Sequence, residues 1–124
     1  MSDIYQAIII DHYRNPRCHG TLEHPTHRAK GLNASCGDKL QMDIIVKNDM
    51  IEEVRFSGVG CAISQASASL LSEAMTGKPV QEALALEPKE ALALLGVTLS
   101  PSRIKCGLLA LETLKKTISS PTIK

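Results

Sequence analysis

From Leu40 to Phe56 the sequence spells out an antiparallel hairpin. Leu40, Met42, Ile44 and Val46 alternate with Gln41, Asp43, Ile45 and Lys47, the period of two that turns one face of a strand to a core and the other to solvent. Asn48-Asp49 offers a two-residue turn, although glycine at its second position would be a stronger signal, and Ile51 to Phe56 makes the returning strand. Such a ribbon must cover its apolar face, and the residues that follow have helical periodicity. Ile63, Ala66, Ser67, Leu70, Leu71 and Ala74 fall on one helix face. Thr76-Gly77-Lys78-Pro79 stops that helix. Short helices are predicted at about 80–86 and 88–95, the second opened by Pro88 and closed by Gly96. A last helix over about 102–119 carries an inner stripe of Ile104, Leu108, Leu111 and Ile118.

Upstream of the hairpin, residues 2–14 read as a helix with Ile4, Ile8 and Ile9 on one side, ended by Asn15-Pro16. Residues 15–30, rich in His, Pro, Arg and Gly, read as a loop leading to a first short strand at about 29–34. Three strands followed by helices predict an α+β sandwich of two layers. The 124 residues suit a single domain spanning 1–124, which would bury roughly two-thirds of the surface exposed by its unfolded chain. With only two Tyr and one Phe, the core must be aliphatic.

Formal net charge is +1 and the basic residues are dispersed, so neither a nucleic-acid footprint nor a polybasic membrane patch is present. No apolar run approaches the ~20 residues needed to cross a bilayer. Asp3 stands almost at the start and no signal-peptide pattern precedes it. The expected address is cytoplasmic, where four cysteines would be reduced and are better read as metal ligands or reactive thiols than as disulfides.

Three of those cysteines lie in settings that predict accessibility. Cys36 stands in Ala34-Ser35-Cys36-Gly37-Asp38, a turn between two strands in which Gly37 permits a tight backbone. Cys61 follows Gly58-Val59-Gly60 at a helix start, where free amides and the positive end of the dipole favour negative charge. Cys106 lies in the first turns of the last helix, beside Arg103 and Lys105. Three sulfurs and the Asp38 carboxylate could form a tetrahedral zinc site or hold iron in a sulfide cluster. The 24 and 44 residues between successive cysteines do not resemble a C-x-x-C knuckle, and each alone reads equally as a small buried hydrophobe.

Other polar residues have blander readings. Cys18 is expected to be an exposed free thiol, His12 a partly buried, hydrogen-bonded side chain, and His24 and His27 solvated loop residues. Gly58-Val59-Gly60 lacks the third glycine and the ribose-reading acid of a dinucleotide site. Lys115-Lys116 suits a solvated helix end. Lys105 is either a surface cation or a partner of Asp38 or Cys106.

With these residues assembled, the chain resembles the NifU/IscU/SufU family of iron–sulfur cluster assembly proteins. Ile4-Tyr5 and Asp11-His12-Tyr13-Arg14-Asn15-Pro16-Arg17 resemble its N-terminal helix. Asn33-Ala34-Ser35-Cys36-Gly37-Asp38 is similar to its first ligand motif, with Ala34 where Pro is usual. Gly60-Cys61-Ala62-Ile63-Ser64-Gln65-Ala66-Ser67 resembles the second and Arg103-Ile104-Lys105-Cys106 the third. The resemblance implies a three-stranded antiparallel sheet packed on about five helices, a SufE/NifU-like two-layer sandwich. It implies Cys36, Cys61 and Cys106 as ligands of a transient [2Fe–2S] cluster or Zn2+, with Asp38 as a labile fourth. It also implies a cysteine desulfurase that delivers persulfide sulfur, and apo iron–sulfur proteins that accept the cluster.

Two departures bear on subtype. Lys105 stands before the third cysteine where IscU-type members have His, as in SufU-type members. Leu99-Ser100-Pro101-Ser102-Arg103 replaces the Leu-Pro-Pro-Val-Lys stretch read by a dedicated chaperone in IscU systems. The Cys61–Cys106 interval is nevertheless too short for the insertion that many SufU proteins carry. Two functions follow from the resemblance, a cluster scaffold or a zinc-dependent sulfurtransferase with Cys106 as candidate persulfide acceptor; a structural zinc domain without chemistry is the blander alternative.

Overall fold

The computed structural model describes residues 3–33 and 37–123. Helix α1 (Asp3–Arg14) precedes strands β1 (His27–Asn33), β2 (Asp38–Lys47) and β3 (Met50–Val59), and helices α2 (Ala62–Met75), α3 (Val80–Ala85), α4 (Pro88–Ala93) and α5 (Pro101–Ser119) follow. The sheet is antiparallel in the order β1-β2-β3. The predicted α+β sandwich, with its three strands and five helices, is therefore the observed architecture.

The β2–β3 turn forms as the sequence predicts. Lys47 pairs with Met50 around Asn48 and Asp49, whose φ angles of 53° and 62° are those of a turn matched to strand twist. Leu40, Met42 and Ile44 turn inward, and Phe56 and Val54 stand opposite the latter two. Helices α2 and α5 cover this face, α1 packs on α2, and α3 and α4 close over α5.

Strand β1 starts at His27, two residues before the expected position. Hydrophobic alternation does not mark this start; cross-strand polar contacts do. Arg28 pairs opposite Asp43, and its Nε and Nη2 donate to the two carboxylate oxygens at 2.7 and 3.0 Å. The loop before β1 covers the outer face through the Leu22 amide, which also donates to Asp43. The segment around His19 runs along the β3 edge, where the Phe56 amide donates to the Cys18 carbonyl and the Gly20 amide to the Phe56 carbonyl. Both contacts occupy backbone groups that a free edge would leave unpaired.

The two long helices are rotated from their predicted stripes. Helix α2 buries Ser64, Ser67, Ser69 and Ser72 with Ala66, Ala68, Leu71 and Met75, whereas Ile63, Leu70 and Ala74 are half-buried. In α5 the inner face is Cys106, Leu109, Ala110, Thr113, Leu114 and Thr117 with the predicted Leu111 and Ile118, while Ile104 and Leu108 are half-buried. Close packing explains the difference. Small hydroxyl residues let neighbouring backbones approach, and backbone carbonyls accept from several of them: Thr113 donates to Leu109 and Thr117 to Thr113. Gly31 of β1 faces Thr113, and a Cβ there would collide with the threonine hydroxyl.

Candidate metal centre

The end of β1, the start of β2, the N-terminus of α2 and the second turn of α5 meet at one end of the sheet. Asp38 is the first residue of β2, opposite Asn33. Gly37, with φ of 75°, donates its amide to the Asn33 carbonyl and turns the chain into the strand. Cys61 caps α2, and its backbone N–H donates to Asp38 Oδ1 at 3.1 Å. Its sulfur lies 3.7 Å from Asp38 Oδ2. Ser64 Oγ, 3.9 Å from the Cys61 sulfur, donates to the Cys61 carbonyl at 3.1 Å. Gly60 makes this crowding possible, because a Cβ there would meet the Ser64 hydroxyl and stand 3.0 Å from Asp38 Oδ1.

Cys106 completes the group from α5. One ligand atom each from Asp38, Cys61 and Cys106 lies within 4.8 Å of the others. Ligand sulfurs on a tetrahedral zinc with ~2.3 Å bonds stand roughly 3.8 Å apart, so these donors need to close by only about an ångström. Two soft sulfurs and one carboxylate suit zinc or an iron–sulfur centre and do not suit magnesium or calcium. Asn33 Nδ2 directs its N–H toward the Cys106 sulfur at 3.9 Å, a contact that the sequence motifs did not reveal. The remaining expected ligand, Cys36, lies outside the described residues.

The expected accessibility is corrected for Cys106, which lies deep in the fold. Cys106 is only 2 % exposed and Asp38 3 %, while Cys61 is half-buried. Helix α4 and the segment before α5 roof the inner end: a Cβ on Gly107 would meet Leu92 and Leu99 at 2.8 Å. Lys105 remains exposed beside this buried group.

Cys18 is corrected as well. It is half-buried beneath the β3 edge at φ 61°, and burial pushes its thiol pKa up. His12 sits 7 % exposed with Nδ1 2.7 Å from Ser69 Oγ, as expected of a buried, hydrogen-bonded side chain. His24 is exposed, whereas His27 is half-buried against Thr26 Oγ1. Lys116 is not simply solvated, because its Nζ donates to the Lys30 carbonyl at 2.8 Å.

The NifU-like N-terminal domain matches residues 4–122 of this sequence. The chain belongs to that family. Within it, the chain is 40% identical to the iron–sulfur cluster assembly scaffold protein IscU of Aquifex aeolicus, over all of this chain and 80% of the relative. It is 32% identical to the zinc-dependent sulfurtransferase SufU of Bacillus subtilis, over 96% of this chain and 92% of the relative. A crystal structure from Fervidobacterium islandicum, described as a scaffold protein of the SUF system, superposes with a TM-score of 0.78 at 28% identity and covers 96% of both chains. This NifU-like fold therefore has relatives with both an assembly and a sulfur-transfer name. Among the described residues no helix is long and apolar enough to cross a membrane.

Proposed function

We propose that the protein is a cytoplasmic scaffold on which an iron–sulfur cluster is assembled and from which it passes to apo-proteins. The observation that carries this reading is the convergence of Asp38, Cys61 and Cys106 from three separate elements, in a family whose relatives include named scaffolds. Cys36 would supply the remaining sulfur. Zinc at the same residues would draw their donors together and hold the site closed in the absence of iron. A carboxylate among thiolates is the weakest link to a soft centre, which suits a cargo that must leave.

Sulfur would come from a cysteine desulfurase, and the sheet offers a surface for it next to the site. A groove of about 580 Å³ crosses the three strands, lined by Lys30, Lys39 and Lys116 with no acidic residue. Its shoulders Leu32 and Val59 are 60 % and 67 % exposed, and they adjoin Asn33 and Gly60 of the centre. Apolar anchors ringed by cations fit an acidic, partly apolar partner surface. Leu32→Asp should reduce sulfur delivery and leave zinc content unchanged.

Anaerobic incubation with ferrous iron, cysteine and a desulfurase is the decisive test. A coloured protein is expected, with colour lost in Cys36→Ala, Cys61→Ala and Cys106→Ala. A colourless unsubstituted protein would overturn the scaffold reading.

Sulfur transfer is the second reading, favoured by the SufU relative and by Lys105. A cysteine thiolate here would attack the outer sulfur of the desulfurase persulfide. A new S–S bond would form as the old one breaks, returning the desulfurase cysteine as thiolate. Cys106 is the proposed acceptor, and at 2 % exposure it must be uncovered first. Desulfurase turnover unchanged by the protein would remove this reading. A purely structural zinc role would instead show as loss of most thermal stability on chelation.

A further inference from the structure

A buried side chain ties the helix that Cys61 caps to the helix that carries Cys106. Ser67 lies six residues beyond Cys61, about 9 Å along the helix axis. Its hydroxyl donates to the carbonyl of Gly107 at 2.8 Å, and Gly107 is the residue after Cys106. Ser67 is 3 % exposed and Gly107 is buried. A carbonyl oxygen has two lone pairs, so it can take this bond besides one along the helix. On its other side Gly107 is pressed against Leu92 and Leu99, leaving no space for a Cβ. The α5 backbone next to Cys106 is thus gripped between a hydroxyl on α2 and two leucines.

We infer that Ser67 is a positioning residue for the metal centre. It sets the depth and rotation of α5 against α2, and through them the separation of the Cys61 and Cys106 sulfurs. Ser67 acts through the backbone, since its own hydroxyl is committed to Gly107. Side chains in van der Waals contact could hold two helices together without defining rotation this closely, whereas a hydrogen bond is directional. A shift of about an ångström is comparable to the closure that these ligands need, so losing the tie should be felt at the metal before it is felt in the fold. The inference rests on reading Asp38, Cys61 and Cys106 as metal ligands.

The test compares zinc affinity, measured by competition with a chromophoric chelator, with thermal unfolding of the metal-free protein. Cobalt(II) absorption adds a readout of ligand geometry. Ser67→Ala should weaken zinc binding by about tenfold or more and alter the cobalt bands. Its metal-free melting temperature should stay within about 4 °C of the unsubstituted protein. Zinc affinity and cobalt spectrum both unchanged in Ser67→Ala would overturn the inference. The pair Ser67→Thr and Ser67→Val covers the case in which alanine does not fold, because the two have nearly the same shape and differ in the hydroxyl. Thr should bind zinc more tightly than Val, and equal affinities would again overturn the assignment. Failure of the unsubstituted protein to bind zinc would instead sink the ligand reading on which the inference stands.

Discussion

The Asp38 carboxylate is shared between the backbone and the sulfur of Cys61: Oδ1 accepts the Cys61 N–H at 3.1 Å, and Oδ2 lies 3.7 Å from Sγ. One side chain thereby fixes the entry of α2 and offers a ligand oxygen. Asp38→Asn keeps an oxygen for the amide and loses the charge, so zinc affinity should fall about tenfold or more with a small change in melting temperature. Asp38→Ala should weaken metal binding similarly and also cost about 1 kcal/mol from the lost cap-like bond. Chelator competition and thermal melts of both variants separate the two roles.

Gly60 is the spacer of the centre. Gly60→Ala would drive a methyl into the Ser64 hydroxyl and the Asp38 carboxylate, displacing both from the sulfur of Cys61. The expected cost is about 1–3 kcal/mol of stability, together with weakened zinc binding. A melt and a metal titration unchanged from the unsubstituted protein would show that the site has more room than the structure gives it.

His12 makes stability depend on pH. Burial, reinforced by the positive charge of Arg17, lowers its pKa below the ordinary 6.5. Ser69 Oγ accepts the Arg17 amide at 2.8 Å and lies 2.7 Å from Nδ1, an arrangement that suits a hydroxyl donating to a neutral ring. In the unfolded chain the ring takes up a proton at the higher, ordinary value. The contribution is therefore full above about pH 6.5 and is lost as pH falls from there toward the lower folded value. His12→Gln should flatten this part of a stability–pH curve measured by urea unfolding.

Asp43 contributes to the acid limb. Burial pushes its pKa up, but the bonds from Arg28, the Leu22 amide and Gln41 outweigh that, and the net shift is downward from 3.8. Stability from this group is present above about pH 4 and disappears as pH falls through the depressed folded value. Asp43→Ala should cost about 2–3 kcal/mol at neutral pH and reduce the loss of stability on acidification. Denaturant titrations at neutral and acid pH measure both effects.

Local chemistry made much of the fold legible. Alternation from Leu40 to Val46 marked β2, Asn48-Asp49 marked its turn, and Pro88 and Gly96 bracketed α4. The rotation of α2 and α5 was hidden because their buried faces hold serine and threonine. Those residues read as polar in sequence, and several of them enter the core because carbonyls such as those of Gly107 and Leu109 accept their hydroxyls. The half-burial of Cys18 was equally hidden, since it arises from pairing with a strand edge more than thirty residues away.

By itself the sequence determined which side chains are available: three cysteines and one aspartate in recognisable settings, on an aliphatic α+β frame. Tertiary structure decided that Asp38, Cys61 and Cys106 share a space of less than 5 Å and that Cys106 lies beneath the surface. The reason is physical. Local propensity is encoded over a few neighbouring residues, whereas the distance between two sulfurs on different helices depends on how those helices pack, here through Ser67, Gly107 and Gly60.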